Sequence, residues 1–185
     1  MNIKEYIKMF AKYPGSLDAV LCHFKQEDSE LSNELKAEYN ALKSDLENLS
    51  VKELIPELKG FFFSSEPDEI LDAVKNIPQP FLLVLYPNAN TSGKDVFSLN
   101  TEYECVFSVL HNFSERNKDK FEKVIIDALT ERIGKTILSN LIYEDLDKCG
   151  YKVQLDESDI KKVYETSFGC VGWSYVVEFN KKGLQ

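Results

Sequence analysis

Histidine is almost missing from this 185-residue chain: His23 and His111 are the only two, and they lie far apart. A metal cluster or catalytic array built on histidine has little to draw on. Each histidine sits beside an aromatic residue or a strand end and reads as structural. Cysteine is sparse as well, and Cys22, Cys105, Cys149 and Cys170 form no C-x-x-C pair. That scatter leaves no zinc-ribbon spacing and no disulfide framework, so four buried, reduced thiols in a cytoplasmic setting are expected. Long apolar runs are lacking too. The longest, Phe81 to Tyr86, falls far short of the roughly 20 residues that a spanning helix takes. Residues Met1 to Phe10 are amphipathic and charged, without the uninterrupted apolar stretch of a secretion signal, so neither membrane insertion nor export is expected. Positive charge is in deficit, with 22 Lys and Arg against 31 Asp and Glu and a formal net charge of -9. Such a field repels phosphate, and no nucleic-acid partner is expected.

Hydrophobic residues at 43% and aromatics at 12% are enough to build a core. The length suits one domain with an appendage, and the pattern changes near Gly60. Before it, Ile3, Tyr6, Ile7 and Phe10 follow helical spacing until Pro14-Gly15. Ser16 or Asp18 can cap a second short helix through Phe24. A third helix from about Ser29 carries Leu31, Leu35, Tyr39, Leu42, Leu46 and Leu49 at spacings of three and four, a seam for another helix. The expected organisation is a helical segment, residues 1–59, packed on an α+β domain, residues 60–185.

After Gly60 strands enter. Gly60 to Ser65 reads as a short strand or a buried connector, and Ile70, Leu71, Val74 and Ile77 make one face of a helix between Pro67 and Pro78. Phe81 to Tyr86 is apolar on both faces, as an interior strand is. Asn88 to Asp95 is rich in turn formers and is expected as an exposed, mobile loop. Tyr103 to Leu110 alternates as a strand, with Tyr103, Cys105, Phe107 and Val109 on one face. A helix of about thirty residues is predicted from Lys118 to Lys148, with Phe121, Val124, Ile125, Ala128, Leu129, Ile133, Ile137 and Leu141 as its apolar stripe. Gly134 inside it implies a bend or a close helix contact, and Gly150 should stop it. Tyr151, Val153 and Leu155 alternate as a short strand, Ile160 to Phe168 is ambiguous, and Cys170 to Phe179 is the closing strand. Its buried face should hold Val171, Trp173, Tyr175, Val177 and Phe179. The expected fold class is therefore α+β: a mostly antiparallel sheet of four to five strands covered by a long helix, with additional N-terminal helices.

Features that resemble chemistry fail on inspection. Gly134-Lys135-Thr136 matches the end of a Walker A loop, but Leu129 stands where its first glycine belongs. The stretch also lies inside a helical pattern, whose backbone N–H groups are already used. A His paired with Cys105 or Cys170 would need an exposed thiol in positive surroundings, and both cysteines lie on strand patterns. Asp156, Glu157 and Asp159 lack the twelve-residue calcium-loop pattern and read as a solvated turn. Glu66, Asp68 and Glu69 around Pro67 suit a helix N-terminus. No catalytic, cofactor-binding or metal-binding residue is assigned, no cofactor is expected, and the chain reads as a non-enzyme.

The run of elements resembles a known group. The helix Ile3 to Phe10, His23-Phe24, the helix Asp68 to Ile77 leading into Phe81 to Tyr86, the strand Tyr103 to Leu110, the long helix and the closing Phe168 to Phe179 together resemble small bacteriophage and prophage structural proteins of the tail-terminator or head-tail joining class. The resemblance covers most of residues 60 to 180 in element order and follows the first 60 loosely. It implies a non-enzymatic, ring-forming or joint-forming subunit located in the cytoplasm or the virion. Its partners would be proteins: further copies of itself, or phage tail proteins. The acidic helix from Ser29 to Ser50 departs from that group, and the charge of -9 suggests an alternative, an acidic intracellular binding module such as an immunity or inhibitor protein that neutralises a basic partner.

Overall fold

Two long antiparallel strands form the spine of the sheet, β4 (Asn100–Asn112) and β7 (Cys170–Lys181), paired in register from Glu102↔Asn180 to Asn112↔Cys170. The computed structural model describes residues 1–22, 32–49, 55–64, 74, 76–92, 100–113, 120–155, 159–163 and 169–181. Around the spine lie β1 (Gly60–Ser64), β2 (Phe81–Leu85), β3 (Asn88–Ser92), β5 (Tyr151–Gln154) and β6 (Ile160–Val163). The order is β1-β2-β4-β7-β5, with β3 added to β4 and β6 added to β7. Only β1 and β2 run parallel; every other described pairing is antiparallel. The helices are α1 (Ile3–Ala11), α2 (Asp18–Leu21), α3 (Asn33–Glu47) and α4 (Lys120–Asn140), the last continued by a π-helical turn, Leu141–Leu146. The class is α+β, as expected.

The sheet has seven described strands rather than four to five. Two of them arise where no apolar alternation marks a strand. Asn88 to Ser92, expected as a mobile loop, pairs residue for residue with Asn100–Glu104 as β3; residues 93–95 of that predicted loop lie outside the described residues. Ile160 to Val163, ambiguous in the sequence, is β6 on β7, and 164–168 lie outside. In both cases the long neighbouring strand supplies the ladder that the short one completes. Most of the helix expected after Pro67 lies outside the described residues, although Val74 is buried. Leu155 falls beyond β5 and is exposed.

One sheet face carries the core. Cys105, Phe107 and Val109 of β4 alternate inward with Tyr175, Val177 and Phe179 of β7 and Leu82 and Val84 of β2, all buried. Helix α1 lies on this face, its start closed by Asn2 Oδ1 accepting from Lys4 N at 3.0 Å and Asn2 N donating to Glu5 Oε2 at 3.3 Å. Its Phe10 ring meets Phe107 at 5.5 Å, and Phe107 stacks on Tyr175 at 4.9 Å. The Tyr6 hydroxyl donates to Leu85 O at 3.0 Å and lies 3.1 Å from Cys105 Sγ. The far end of α1 is tied to the π-helical turn. Lys12 Nζ reaches Asp145 Oδ2 at 2.6 Å, and the Tyr13 hydroxyl donates to the same oxygen at 3.2 Å.

Helix α4 crosses the same face. Its burial bears out the predicted stripe from Leu129 on, with Ile133, Ile137 and Leu141 buried and Leu129 packed against the core, and corrects it before that. Ile126, Thr130, Ile133, Gly134, Ile137 and Leu138 are buried, whereas Phe121, Val124, Ile125 and Ala128 are exposed. The cause is the contact at Gly134. A Cβ there would lie 2.2 Å from Tyr175 Cε2, and the Tyr175 hydroxyl donates to Glu131 O at 3.2 Å. Of the two readings of Gly134, a close contact is found, but with a residue of strand β7 rather than with a helix. It turns the 126/130/133/137 side toward β7 and the 121/124/125/128 side outward. Gly150, at φ 77, stops the helical region as expected.

Helix α3 bears out the later part of its seam, where Leu42, Leu46 and Leu49 pack against the core, and departs from it at the start. Leu46 is buried, but Leu35 is 54% exposed, and Leu31 lies outside the described residues. Ion pairs Lys4–Glu38 and Lys8–Asp45 join α3 to α1 along an exposed flank.

Candidate interaction surfaces

Among the described residues, those weighed for chemistry do not converge on one site, although strand register sets Cys170 opposite Asn112, the neighbour of His111. His111 is half-buried near the end of β4, with Nδ1 2.8 Å from Asn112 O. The Cys170 thiol donates to Asn112 Oδ1 at 3.1 Å, and burial pushes it up to about 11. Burial pushes the Cys105 thiol to about 12, against the lowering effect of the Tyr6 hydrogen bond. Both thiols are held protonated, the opposite of what a nucleophile needs. Cys22 and Cys149, expected to be buried, are exposed. Gly134-Lys135-Thr136 lies within α4, where Lys135 pairs with Glu131 at 2.6 Å and the Thr136 hydroxyl donates to Arg132 O at 2.9 Å. Trp173 is half-buried against the core. His23, Glu66, Asp68, Glu69, Asp156 and Glu157 lie outside the described residues. Among the described residues no three His, Cys, Asp or Glu side chains gather as a metal site, and no helix is long and apolar enough to cross a membrane.

The fold gathers surfaces instead. On α4 the outward Val124 and Ile125 are 62% and 67% exposed, in line with Phe121 at 77%. Below them a shallow groove of about 560 Å³ runs past Ala128, Arg132, Lys135, Thr136 and Ser139. Its cations are already paired, Arg132 with Glu57 at 2.9 Å and Lys135 with Glu131. The sequence held a sign of this surface: Phe121, Val124, Ile125 and Ile126 are more apolar positions than one helix face can take inward.

The second sheet face is divided. At one end Phe81, Leu83, Leu110, Cys170 and Val74 form a small buried cluster. At the other, Glu104 of β4 stands directly opposite Glu178 of β7, with Glu102 opposite Asn180 and Gln154 of β5 opposite Glu178. A dent of about 70 Å³ lies among these residues and Asn90. Like charges placed opposite each other on adjacent strands cost stability. Asn88 Nδ2 offsets part of that by donating to Glu104 Oε1 at 3.0 Å. Periodicity alone could not find this patch, because strand register brings Glu102, Glu104 and Glu178 together across more than seventy residues.

At the margin of that face lies β3, all five of whose residues are exposed. No family model matches the chain, and no curated protein is significantly similar to it.

Proposed function

We propose that this chain is a non-enzymatic assembly protein, of the phage tail-terminator or head-tail joining kind, that works by docking other protein subunits on its surface. The observation that carries the reading is the outward apolar turn of α4. A helix that already buries one face on a sheet has no folding use for Val124 and Ile125 at 62% and 67% exposure. Contiguous exposed apolar side chains of this kind mark protein contacts. The expected occupant is an apolar surface on a phage tail-tube or joining subunit, because the groove beside the patch presents charges that are already paired and offers little to a charged ligand. Mixing the chain with a phage tail-tube protein and measuring mass by light scattering tests this. A complex that forms with the unaltered chain and fails with Val124→Lys/Ile125→Lys, at unchanged melting temperature, is the expected result. Absence of any complex counts against the reading.

A second reading is favoured by the Glu102, Glu104 and Glu178 patch: an acidic module that neutralises a basic protein. The two readings differ in their salt response. Association through this patch weakens sharply as salt rises, while docking through the α4 turn does not.

A further inference from the structure

We infer that β3 is a self-association edge, on which a second copy of this chain adds its own β3 in antiparallel register and continues the sheet across a two-fold axis. This goes beyond the α4 surface and does not depend on it. Three observations point the same way.

The first is that the edge is available. Among the described residues β3 pairs with β4 alone, and all five of its residues are exposed. In an antiparallel ladder alternate residues bond to the neighbour, so the others direct N–H and C=O outward. The second is that the edge is unguarded. Native sheets blunt such edges with Lys, Pro or a bulge. Asn88-Ala89-Asn90-Thr91-Ser92 has no charge and no proline, and its five pairs with β4 run without a bulge. The strand is also firmly held, by Asn88 to Glu104 at 3.0 Å and by Thr91 Oγ1 to Thr101 Oγ1 at 3.1 Å.

The third observation selects the occupant, and it is electrostatic. Each chain carries -9 overall, yet a β3–β3 seam is neutral on both sides. An axis through Asn90 sets each Asn90 against its counterpart, Ala89 against Thr91, and Asn88 against Ser92, with no like charges facing. The nearest carboxylates, Glu102 and Glu104, sit one strand further in. Across three strand spacings Glu102 lies about 14 Å from its counterpart, and Glu104, displaced along the strand as well, lies further from its own, about 20 Å, both beyond the Debye length at physiological salt. A basic strand would find no opposite charge on the edge itself, and a copy of the same strand meets no like charge across the seam; the repulsion that remains is that of the two acidic chains as wholes. The interface is isologous, and its small size makes the dimer weak, in the high micromolar range.

Sedimentation velocity on the full chain, up to high micromolar concentration and in about 0.05 M and about 0.5 M salt, tests the inference. The expected result is a reversible dimer favoured by the higher salt, because screening relieves the repulsion between two acidic chains. Asn90→Lys and Asn90→Glu each place like charges face to face on the axis, and each should weaken the dimer roughly tenfold or more. Opposite Glu102 the lysine adds an attraction within the chain and the glutamate a repulsion, so that loss with both substitutions marks the axis. Hydrogen exchange on the unaltered chain supplies a second readout: amides of Asn88 to Ser92 should gain protection as concentration rises. A chain that stays monomeric in both salts, a dimer indifferent to both substitutions or weakened by salt, or protection confined to other segments would overturn the inference. Binding of a phage tail-tube protein through α4 survives Asn90→Lys in either case, so the two readings can fail separately.

Discussion

The four cysteines divide by environment in a way that thiol chemistry can read directly. Cys22 and Cys149 are exposed, while Cys105 and Cys170 are buried and held protonated. A thiol reagent at mildly alkaline pH should label Cys22 and Cys149 in the native chain, and Cys105 and Cys170 only after denaturation. Rapid labelling of Cys105 in the folded protein would contradict its place beneath α1. Gly134 makes a sharper case. In a free helix Ala would be favoured by up to about 1 kcal/mol, but here its Cβ would meet the ring of a fully buried Tyr175 that stacks on Phe107. Overpacking of that kind costs about 1–3 kcal/mol or more, so the clash wins and Gly134→Ala should lower stability in urea unfolding. A stabilised variant would mean that α4 stands further from β7 than described.

Helix α4 is the element on which sequence pattern and structure part most clearly. Its existence and extent were legible, because apolar residues recur at helical spacing up to Gly150. Its buried side was legible in part: Leu129, Ile133, Ile137 and Leu141 pack inward as the stripe predicts, whereas Phe121, Val124, Ile125 and Ala128, which are just as regular, turn outward. The choice of side rests on the Gly134–Tyr175 approach, a contact between residues about forty positions apart. The two sides should therefore respond oppositely to substitution. Ile133→Ala should cost about 3 kcal/mol, while Ile125→Lys should change stability by no more than about 0.5 kcal/mol. Comparable losses from both would show that the outward turn is covered within the monomer. The strands show the same division. β4 and β7 announce themselves by alternation, and β2 by a run apolar on both faces. β3 has no apolar face at all, so the ladder offered by Asn100 to Glu104 decides its conformation.

For the whole molecule, the buried thiols and phenols set how stability varies with pH. Burial raises Cys105 to about 12 and Cys170 to about 11 from an ordinary 9.0, and raises Tyr6, Tyr13 and Tyr175 from an ordinary 10.0. In the unfolded chain these groups release protons near their ordinary values, while the folded chain holds them. Above about pH 9 the unfolded state thus binds fewer protons, and stability falls as pH rises through the folded values. Their contribution is complete below about pH 9. The melting temperature should be level on that account from neutral pH to about 9 and then decline; a level course to about pH 11 would contradict the burial of these groups. Of the candidate surfaces, the overall acidity was legible in composition, but its concentration on one half of a sheet face required the register of β4, β5 and β7.

Whether the molecule works through its outer surface is decided most directly by the mass it reaches with a partner. The single chain has a mass of 21.2 kDa. Light scattering on its mixture with a phage tail-tube protein should give a complex heavier than either component, lost on Val124→Lys/Ile125→Lys and retained on Asn90→Lys. Components that scatter separately at every concentration, or a complex indifferent to the α4 substitutions, would contradict the account.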